Sequence, residues 1–209
     1  VESGSAEVLH KIMHKPLKLE IIKRVTKDCR EVGIYTDCNL VLGQPGETAE
    51  HFEESRLFLR NTFANWFRPN IATPVTGSEL LKRSVDGGYL KGHYTHSDYK
   101  KAIIETNDFT SIGLQKIAYL LNLELNFVYN SDLRLGDYKT ALIGFENVIV
   151  ARPDHYFANL YASKCQEKLG NCEKAEKYAK TALQSEKMEH WQKWIELIDS
   201  PMKKIALSK

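Results

Sequence analysis

The sequence predicts a mixed fold, in which an α/β region with parallel strands precedes an all-α region. In the first 90 residues, segments of helical periodicity alternate with short apolar strands that end in turns rich in glycine and proline. In the last 90 residues, glycine and alanine recur at a spacing of 34 residues, which is typical of stacked helix pairs. The chain has 209 residues, of which 43% are hydrophobic, and this suffices for packed cores.

The composition excludes several classes of protein. Lysine and arginine total 29 against 27 aspartate and glutamate, so the formal net charge of +2 gives no indication of a nucleic-acid partner. No apolar run approaches the roughly 20 residues of a membrane-spanning helix. The four cysteines fit neither a zinc site nor a disulfide scaffold. We therefore expect a reduced, cytoplasmic protein.

Two helices are predicted before the first strand. Ser5 is the expected N-cap of a short helix that runs through Met13. A second helix is predicted from Leu17, with Gly33 as its C-cap. The predicted apolar face of the second helix consists of Ile22, Val25, Cys29 and Val32.

Two strands are predicted, over residues 34–42 and 66–72, because their side chains alternate in polarity. Pro69 favours an edge position for the second strand. The polar faces carry Asp37, Asn39, Arg68 and Asn70. These faces either line a lumen and bind a polar ligand, or belong to a half-exposed sheet in which Asp37 and Arg68 form a salt bridge.

The first strand ends in a glycine-rich turn that precedes a helix. The turn reads Gly43-Gln44-Pro45-Gly46-Glu47, and Thr48 is the expected N-cap of the helix. Backbone N–H groups beside a helix start are able to bind the carboxylate or phosphate of a ligand. Such a turn is by itself a weak signal, since most turns of this composition only connect elements. The apolar face of the helix is expected to carry Phe52, Leu59 and Phe63.

Three segments end successive strands: Val1-Glu2-Ser3-Gly4-Ser5, Asn39 to Thr48 with its turn Gly43-Gln44-Pro45-Gly46-Glu47, and Asn70-Ile71-Ala72-Thr73-Pro74 with Gly77. In this order and spacing they resemble the radical S-adenosylmethionine (radical SAM) superfamily, and most closely its members with an N-terminal cobalamin-binding domain. The resemblance covers about residues 1–90. It implies an α/β partial barrel, the last third of an incomplete TIM-like barrel.

The resemblance also implies residues that bind S-adenosylmethionine. Glu2 and Ser3 correspond to family residues that hold the nucleoside or amino acid part of the cofactor. The positions that correspond to residues packed against its adenine are Val41, Gly43, Gly46, Asn70, Ala72 and Pro74. Asn39 is a further candidate for binding the cofactor, since it shares the polar strand face with Asn70.

The sequence departs from the family in two respects. An acidic residue often follows the glycine of the fifth strand by three positions, whereas this position is Gly46 and Glu47 comes one step later. The Cys-x3-Cys-x2-Cys motif, whose thiolates hold the 4Fe-4S cluster that reduces S-adenosylmethionine, is absent. We therefore expect the C-terminal portion of a larger enzyme, inactive by itself.

The resemblance implies partners for such a portion. The missing N-terminal portion of the same protein supplies the cluster and, where cobalamin is present, the chemistry that methylates an unreactive carbon. Alone, the strands leave open edges, so we expect the isolated chain to pair with a second copy, to cover the edges with its own helices, or to aggregate.

The last part of the chain resembles two tetratricopeptide repeats, over residues 122–155 and 156–189. Two residue pairs share the 34-residue spacing, Gly136 with Gly170 and Ala141 with Ala175. Lys187 departs from the pattern, since proline is usual there. The repeats either bind a protein or peptide or pack against the barrel as a brace. Residues 91–121 are predicted to form a helical connection, and the helix that contains Trp191 and Trp194 to act as a cap.

Two histidine pairs, His10 with His14 and His93 with His96, are candidate metal ligands by spacing. We interpret them as solvated or hydrogen-bonded histidines, because no further ligand lies nearby in the sequence. The alternative to an enzyme portion is a protein-protein interaction module, in which the helical repeats bind a partner and the α/β region is a non-catalytic scaffold.

Overall fold

The computed structural model describes residues 1–94, 101–185 and 187–208, so His96 lies outside the described residues. Contacts divide the chain into two compact units. Unit 1 comprises Val1–Asn122 with Asp199–Lys209, and unit 2 comprises Leu123–Ile198. The three parts predicted from the sequence, 1–90, 91–121 and 122–209, stay a prediction.

The described residues are mostly helical and include one small parallel sheet. Two π-helical turns occur, at Val8–Ile12 and Glu124–Val128. The strands are β1 (Asp37–Leu42) and β2 (Trp66–Ile71). The helices are α1 (Leu19–Glu31), α2 (Ala49–Arg60), α3 (Glu79–Asp86), α4 (Ser111–Leu123), α5 (Ser131–Arg134), α6 (Tyr138–Ala151), α7 (Tyr156–Lys168), α8 (Cys172–Leu183), α9 (Met188–Leu197) and α10 (Met202–Ala206).

The sheet of unit 1 confirms the predicted α/β character, while the partial barrel stays a prediction. β1 and β2 are parallel, with Asp37 opposite Trp66 and Leu42 opposite Ile71. Within the described residues β2 pairs with β1 alone, so Pro69 lies in an edge strand as expected. β1 begins three residues later than predicted, because pairing starts where the Thr36 carbonyl accepts the N–H groups that lead into β2.

The helices of unit 1 follow the sequence signals in part. Thr48 caps α2 in a capping box with His51, as expected. Gly33, at φ 76°, follows α1, and the Ile34 N–H donates to Cys29 O at 2.8 Å across it. The predicted cap at Ser5 is wrong in detail, since its Oγ donates to Glu54 Oε2 at 2.5 Å and the turn that follows is π-helical.

The apolar face predicted for α1 is wrong. Ile22 is buried, but Val25 is 45% exposed and Val32 is 71% exposed. The buried face instead pairs Ile22 with Thr26, whose Oγ1 donates to Ile22 O at 3.0 Å and accepts from the Phe63 N–H at 3.3 Å. A satisfied hydroxyl is able to replace an apolar side chain in the core, because its polar atom is hydrogen-bonded there.

Unit 2 consists of helical hairpins at the predicted positions. Gly136 and Gly170 adopt φ angles of 76° and 80° in the turns before α6 and α8. Ala175 is buried, and Ser163 Oγ donates to its carbonyl at 2.8 Å, so α7 and α8 approach closely as expected for a small residue. Trp191 is fully buried and belongs to the core. Membership of the tetratricopeptide family stays a prediction.

No helix in the part of the chain that the structure describes combines the length and the apolar character that crossing a bilayer requires.

Candidate functional site

The three segments predicted to end successive strands lie side by side in unit 1. The Val41 N–H donates to Glu2 O at 2.9 Å, and Val41 lies opposite Asn70 in the sheet register. The Ala72 N–H donates to Leu42 O at 2.8 Å just beyond the end of the sheet. Because β1 and β2 are parallel, their carboxyl ends share one edge. The first segment reaches this same edge through Glu2.

A cleft of about 350 Å³ opens at this edge. Such a volume lies near the lower end of the roughly 300–1,000 Å³ typical of small-molecule sites, which is enough for a nucleoside-sized ligand. The cleft is lined by Val41, Asn70, Ile71, Ala72, Thr73 and Leu80. Three of the predicted binding residues, Val41, Asn70 and Ala72, therefore share one cleft.

The polar side chains of the sheet satisfy one another. Arg68 Nε donates to Asp37 Oδ2 at 2.6 Å, which is the salt bridge of the second of the two alternatives given for these faces. Asn70 Nδ2 donates to Asn39 Oδ1 at 3.3 Å and to Arg68 O at 3.1 Å. Asp37, Asn39 and Arg68 are exposed in unit 1, as in a half-exposed sheet. Asn39 therefore lies next to the cleft, where it orients the Asn70 amide.

The first segment uses its two candidate side chains differently. The Glu2 carboxylate is partly exposed and forms an ion pair with Lys15. Ser3 is fully buried, its Oγ lies 3.2 Å from Ser55 Oγ, and it accepts from the Ser5 N–H at 3.1 Å. The Ser3 hydroxyl thus fixes the segment against α2, and cofactor binding by Glu2 and Ser3 stays a prediction.

The turn after β1 binds a carboxylate of its own chain. Glu47 Oε2 accepts from the N–H groups of Gly43 at 2.6 Å and Gln44 at 2.7 Å. Glu47 is 1% exposed, and burial raises its pKa to about 7 although the two backbone hydrogen bonds lower it. These two N–H groups are therefore not free to bind the anion of a ligand, because Glu47 occupies them. A carboxylate four residues after Gly43 was the signal for this arrangement in the sequence.

The remaining candidates lie in the turns around the cleft and are not among its lining residues. Gly43 has a φ angle of 91°, and a Cβ atom there would lie 2.1 Å from Leu114 Cδ2. Gly46 is exposed at φ 99°, and Pro74 is buried. Their predicted contact with adenine stays a prediction.

Metal ligands do not cluster in residues 1–94, 101–185 and 187–208, where no three histidine, cysteine, aspartate or glutamate side chains form a group suited to a metal ion. The four cysteines are free thiols. His14 lies beyond the π-helical turn that contains His10, and its Nδ1 is 3.6 Å from Glu79 Oε2. The described residues therefore do not fit the three-thiolate site of a 4Fe-4S cluster.

Comparison with known proteins gives one distant similarity. No family model matches the chain. The chain is 29% identical over 115 residues to the cytidylyl-2-hydroxyethylphosphonate methyltransferase of Streptomyces wedmorensis, a match that covers 50% of this chain and 21% of that enzyme. The chain therefore spans about a fifth of the length of the curated relative that it matches. The comparison shows similarity to part of a methyltransferase.

Proposed function

We propose that this chain is the C-terminal portion of a radical SAM methyltransferase and that its cleft holds the adenosyl part of S-adenosylmethionine. The observation that carries the proposal is the convergence of Glu2, Val41 and Asn70 at one sheet edge beside the cleft. Similarity to a methyltransferase supports the reaction class. Cobalamin and the N-terminal portion of the same protein complete the proposed enzyme.

Each side of the cleft has a role in this proposal. Val41, Ala72 and Leu80 offer an apolar surface to the adenine ring, and the Asn70 amide forms hydrogen bonds with its edge. The Glu2 carboxylate binds the ammonium group of the cofactor in exchange for Lys15. S-adenosylmethionine supplies a transferable methyl group and, on reduction, an adenosyl radical. The described residues do not fit the cluster that performs this reduction, so we assign the cluster to the N-terminal portion.

Binding is tested on the chain itself with 5'-deoxyadenosine as the probe. A binding free energy of about −0.3 kcal/mol for each non-hydrogen atom of this probe predicts a dissociation constant of roughly 0.1 mM. Titration followed by amide chemical shifts should give saturable changes at Val41, Asn70 and Ala72. Inorganic phosphate, as a second probe, should not shift Gly43 or Gln44, whose N–H groups are occupied.

Matched variants make the binding test specific. Asn70→Ala should weaken binding about tenfold, because the loss of its hydrogen bonds to the probe costs about 1.4 kcal/mol of binding free energy. Asn147→Ala removes an exposed amide from α6 in unit 2 and should leave binding unchanged. A folded chain that shows no saturable shift at the cleft with roughly 10 mM probe would rule out the adenosyl site.

Membership of a larger enzyme is tested on the complete protein that the parent gene encodes. Purified without oxygen and reduced, that protein should contain a 4Fe-4S cluster and convert S-adenosylmethionine to 5'-deoxyadenosine. A complete protein that binds no iron would contradict the proposal even if the isolated chain binds adenosine.

The second candidate function is protein binding by unit 2. Ile143 and Val150 on α6 are 60% and 84% exposed and lie two helical turns apart, so they share an apolar face. With the whole chain as bait, a specific partner should be lost in the Ile143→Asp variant and retained in Asn70→Ala. Retention in both variants would argue against this face.

A further inference from the structure

One arginine connects the turn of the second segment with the elements that follow the first and the third segments. Arg83 lies on α3, which follows the third segment. Its Nη1 donates to Ile12 O at 3.1 Å, and its Nη2 donates to Pro45 O at 2.5 Å. Ile12 ends the π-helical turn after the first segment, and Pro45 lies within the turn of the second. The planar guanidinium thus spans two carbonyl groups that are 33 positions apart in the chain.

The surrounding contacts place Arg83 at a structural junction. The Ile12 carbonyl is at the end of a helical turn, where carbonyl groups lack partners within the helix. A Cβ atom on Gly46 would lie 3.5 Å from Ile12 Cδ1 and 3.8 Å from Arg83 Nη2, so the three chain segments pack together here. Glu79, one turn earlier on α3, approaches His14 Nδ1 at 3.6 Å and provides an exposed contact with the residues just after the π-helical turn.

α3 also forms a wall of the cleft. Leu80 lines the cleft, and Arg83 follows it by three residues, so both lie on neighbouring positions of one helix surface. A displacement of α3 away from Ile12 and Pro45 would therefore move Leu80 and widen the cleft. The two hydrogen bonds of Arg83 connect this wall to Ile12 and Pro45.

We propose that Arg83 is a positioning residue, which fixes α3 and the Gly43–Glu47 turn against the π-helical turn that follows the first segment and thereby sets the shape of the cleft. Its action on the turn is independent of the ligand. Its effect on binding rests on the proposed function, because that effect requires an adenosyl group in the cleft.

The experiment compares three variants of the whole chain. Arg83→Met removes both donors and keeps an apolar stem, and Arg83→Lys keeps the charge but is unable to span both carbonyl groups. Lys82→Met removes a neighbouring exposed charge from α3 and is the matched control. Native-state amide exchange is measured at Gly43, Gln44 and, as an internal reference, Phe52 on α2, and 5'-deoxyadenosine titrations follow.

A positioning role predicts a local effect. Arg83→Met should accelerate exchange at Gly43 and Gln44 about tenfold to a hundredfold, as expected for losing hydrogen bonds to a charged donor, while exchange at Phe52 stays within about twofold. Arg83→Lys should show a smaller acceleration, and Lys82→Met none. The Arg83→Met variant should also bind 5'-deoxyadenosine at least about tenfold more weakly.

Two results would overturn the inference. Equal acceleration at all three amides would show that Arg83 contributes only to global stability, and unchanged exchange at Gly43 and Gln44 would show that it does not hold the turn. If the unsubstituted chain does not bind 5'-deoxyadenosine, the proposed function fails, and the exchange pattern alone decides whether Arg83 positions the turn.

Discussion

Gly43 provides a severe test of the packing around the cleft. Replacement by alanine places a Cβ atom 2.1 Å from Leu114 Cδ2 at a φ angle of 91°. The left-handed backbone costs about 1–2 kcal/mol for a residue with a side chain, and overpacking costs about 1–3 kcal/mol. Leu114 is fully buried. We therefore expect Gly43→Ala to lower the free energy of unfolding by about 2–5 kcal/mol.

Gly77→Ala is the matched control for the backbone contribution. Gly77 has a φ angle of 82°, and a Cβ atom there would meet nothing within 4 Å. Its substitution should therefore cost only the backbone part, about 1–2 kcal/mol. Urea unfolding followed by circular dichroism gives the free energy of unfolding for both variants, and amide exchange of Leu40 and Leu42 in β1 assigns the loss to unit 1.

A double-mutant cycle identifies the steric partner. Leu114→Ala alone should cost about 2–5 kcal/mol, because it opens a cavity in the core. The double variant Gly43→Ala/Leu114→Ala should lose about 1–3 kcal/mol less stability than the sum of the two single-variant losses. The reason is that the new methyl group then occupies space that Leu114 has vacated. Full additivity, or equal costs for Gly43→Ala and Gly77→Ala, would refute the reasoning.

Three further variants test other buried groups. Burial, aided by the Arg152 guanidinium, lowers the pKa of His155 to about 4, so the unfolded chain binds a proton between pH 6.5 and 4 that the native state does not. The free energy of unfolding of unit 2 should fall by about 3 kcal/mol as the pH drops through this range. His155→Asn keeps a side-chain cap and should abolish this pH dependence. Tryptophan fluorescence during urea unfolding measures the free energy at each pH, and an unchanged pH dependence in the variant would contradict the assignment. For Glu47 the sign is opposite, because its native pKa is raised to about 7 and the native state therefore keeps a proton that the unfolded chain has lost. The free energy of unfolding should fall as the pH rises from 4.5 to 7. Glu47→Gln should remove this trend from the unfolding curves of unit 1. In Gly113→Ala the new Cβ atom would lie 2.0 Å from Ala206 O, and a stability loss below about 1 kcal/mol in urea unfolding would show that α10 is able to move aside.

Local patterns in the sequence predicted the elements that depend on neighbouring residues. The alternation in β1 and β2 predicted their faces, and Thr48 predicted the start of α2, because both signals act within a few residues. The buried face of α1 escaped prediction, since it depends on a hydrogen bond between Thr26 and the backbone of Phe63, 37 positions away. Periodicity contains no information about such a partner.

The same distinction holds for the candidate site. Parallel strands bring their carboxyl ends together, so the adjacency of Val41 and Asn70 was predictable from the strand assignment alone. The return of the Glu47 carboxylate to its own turn required the backbone conformation of Gly43 and Gly46. Arg83 had no sequence signal, because an arginine on an amphipathic helix is most often solvated.

The contacts around the turn restrict the class of ligand that the cleft is able to bind. Glu47 occupies the N–H groups of Gly43 and Gln44, so these two donors of the turn are not free to bind a phosphate. What remains is an apolar surface from Val41 and Ala72 with the amide of Asn70 at its border. A flat, weakly polar ring with hydrogen-bonding edges fits this surface better than an anion does. The occupied turn therefore favours a nucleobase as the ligand of the cleft, in agreement with the proposed adenosyl site.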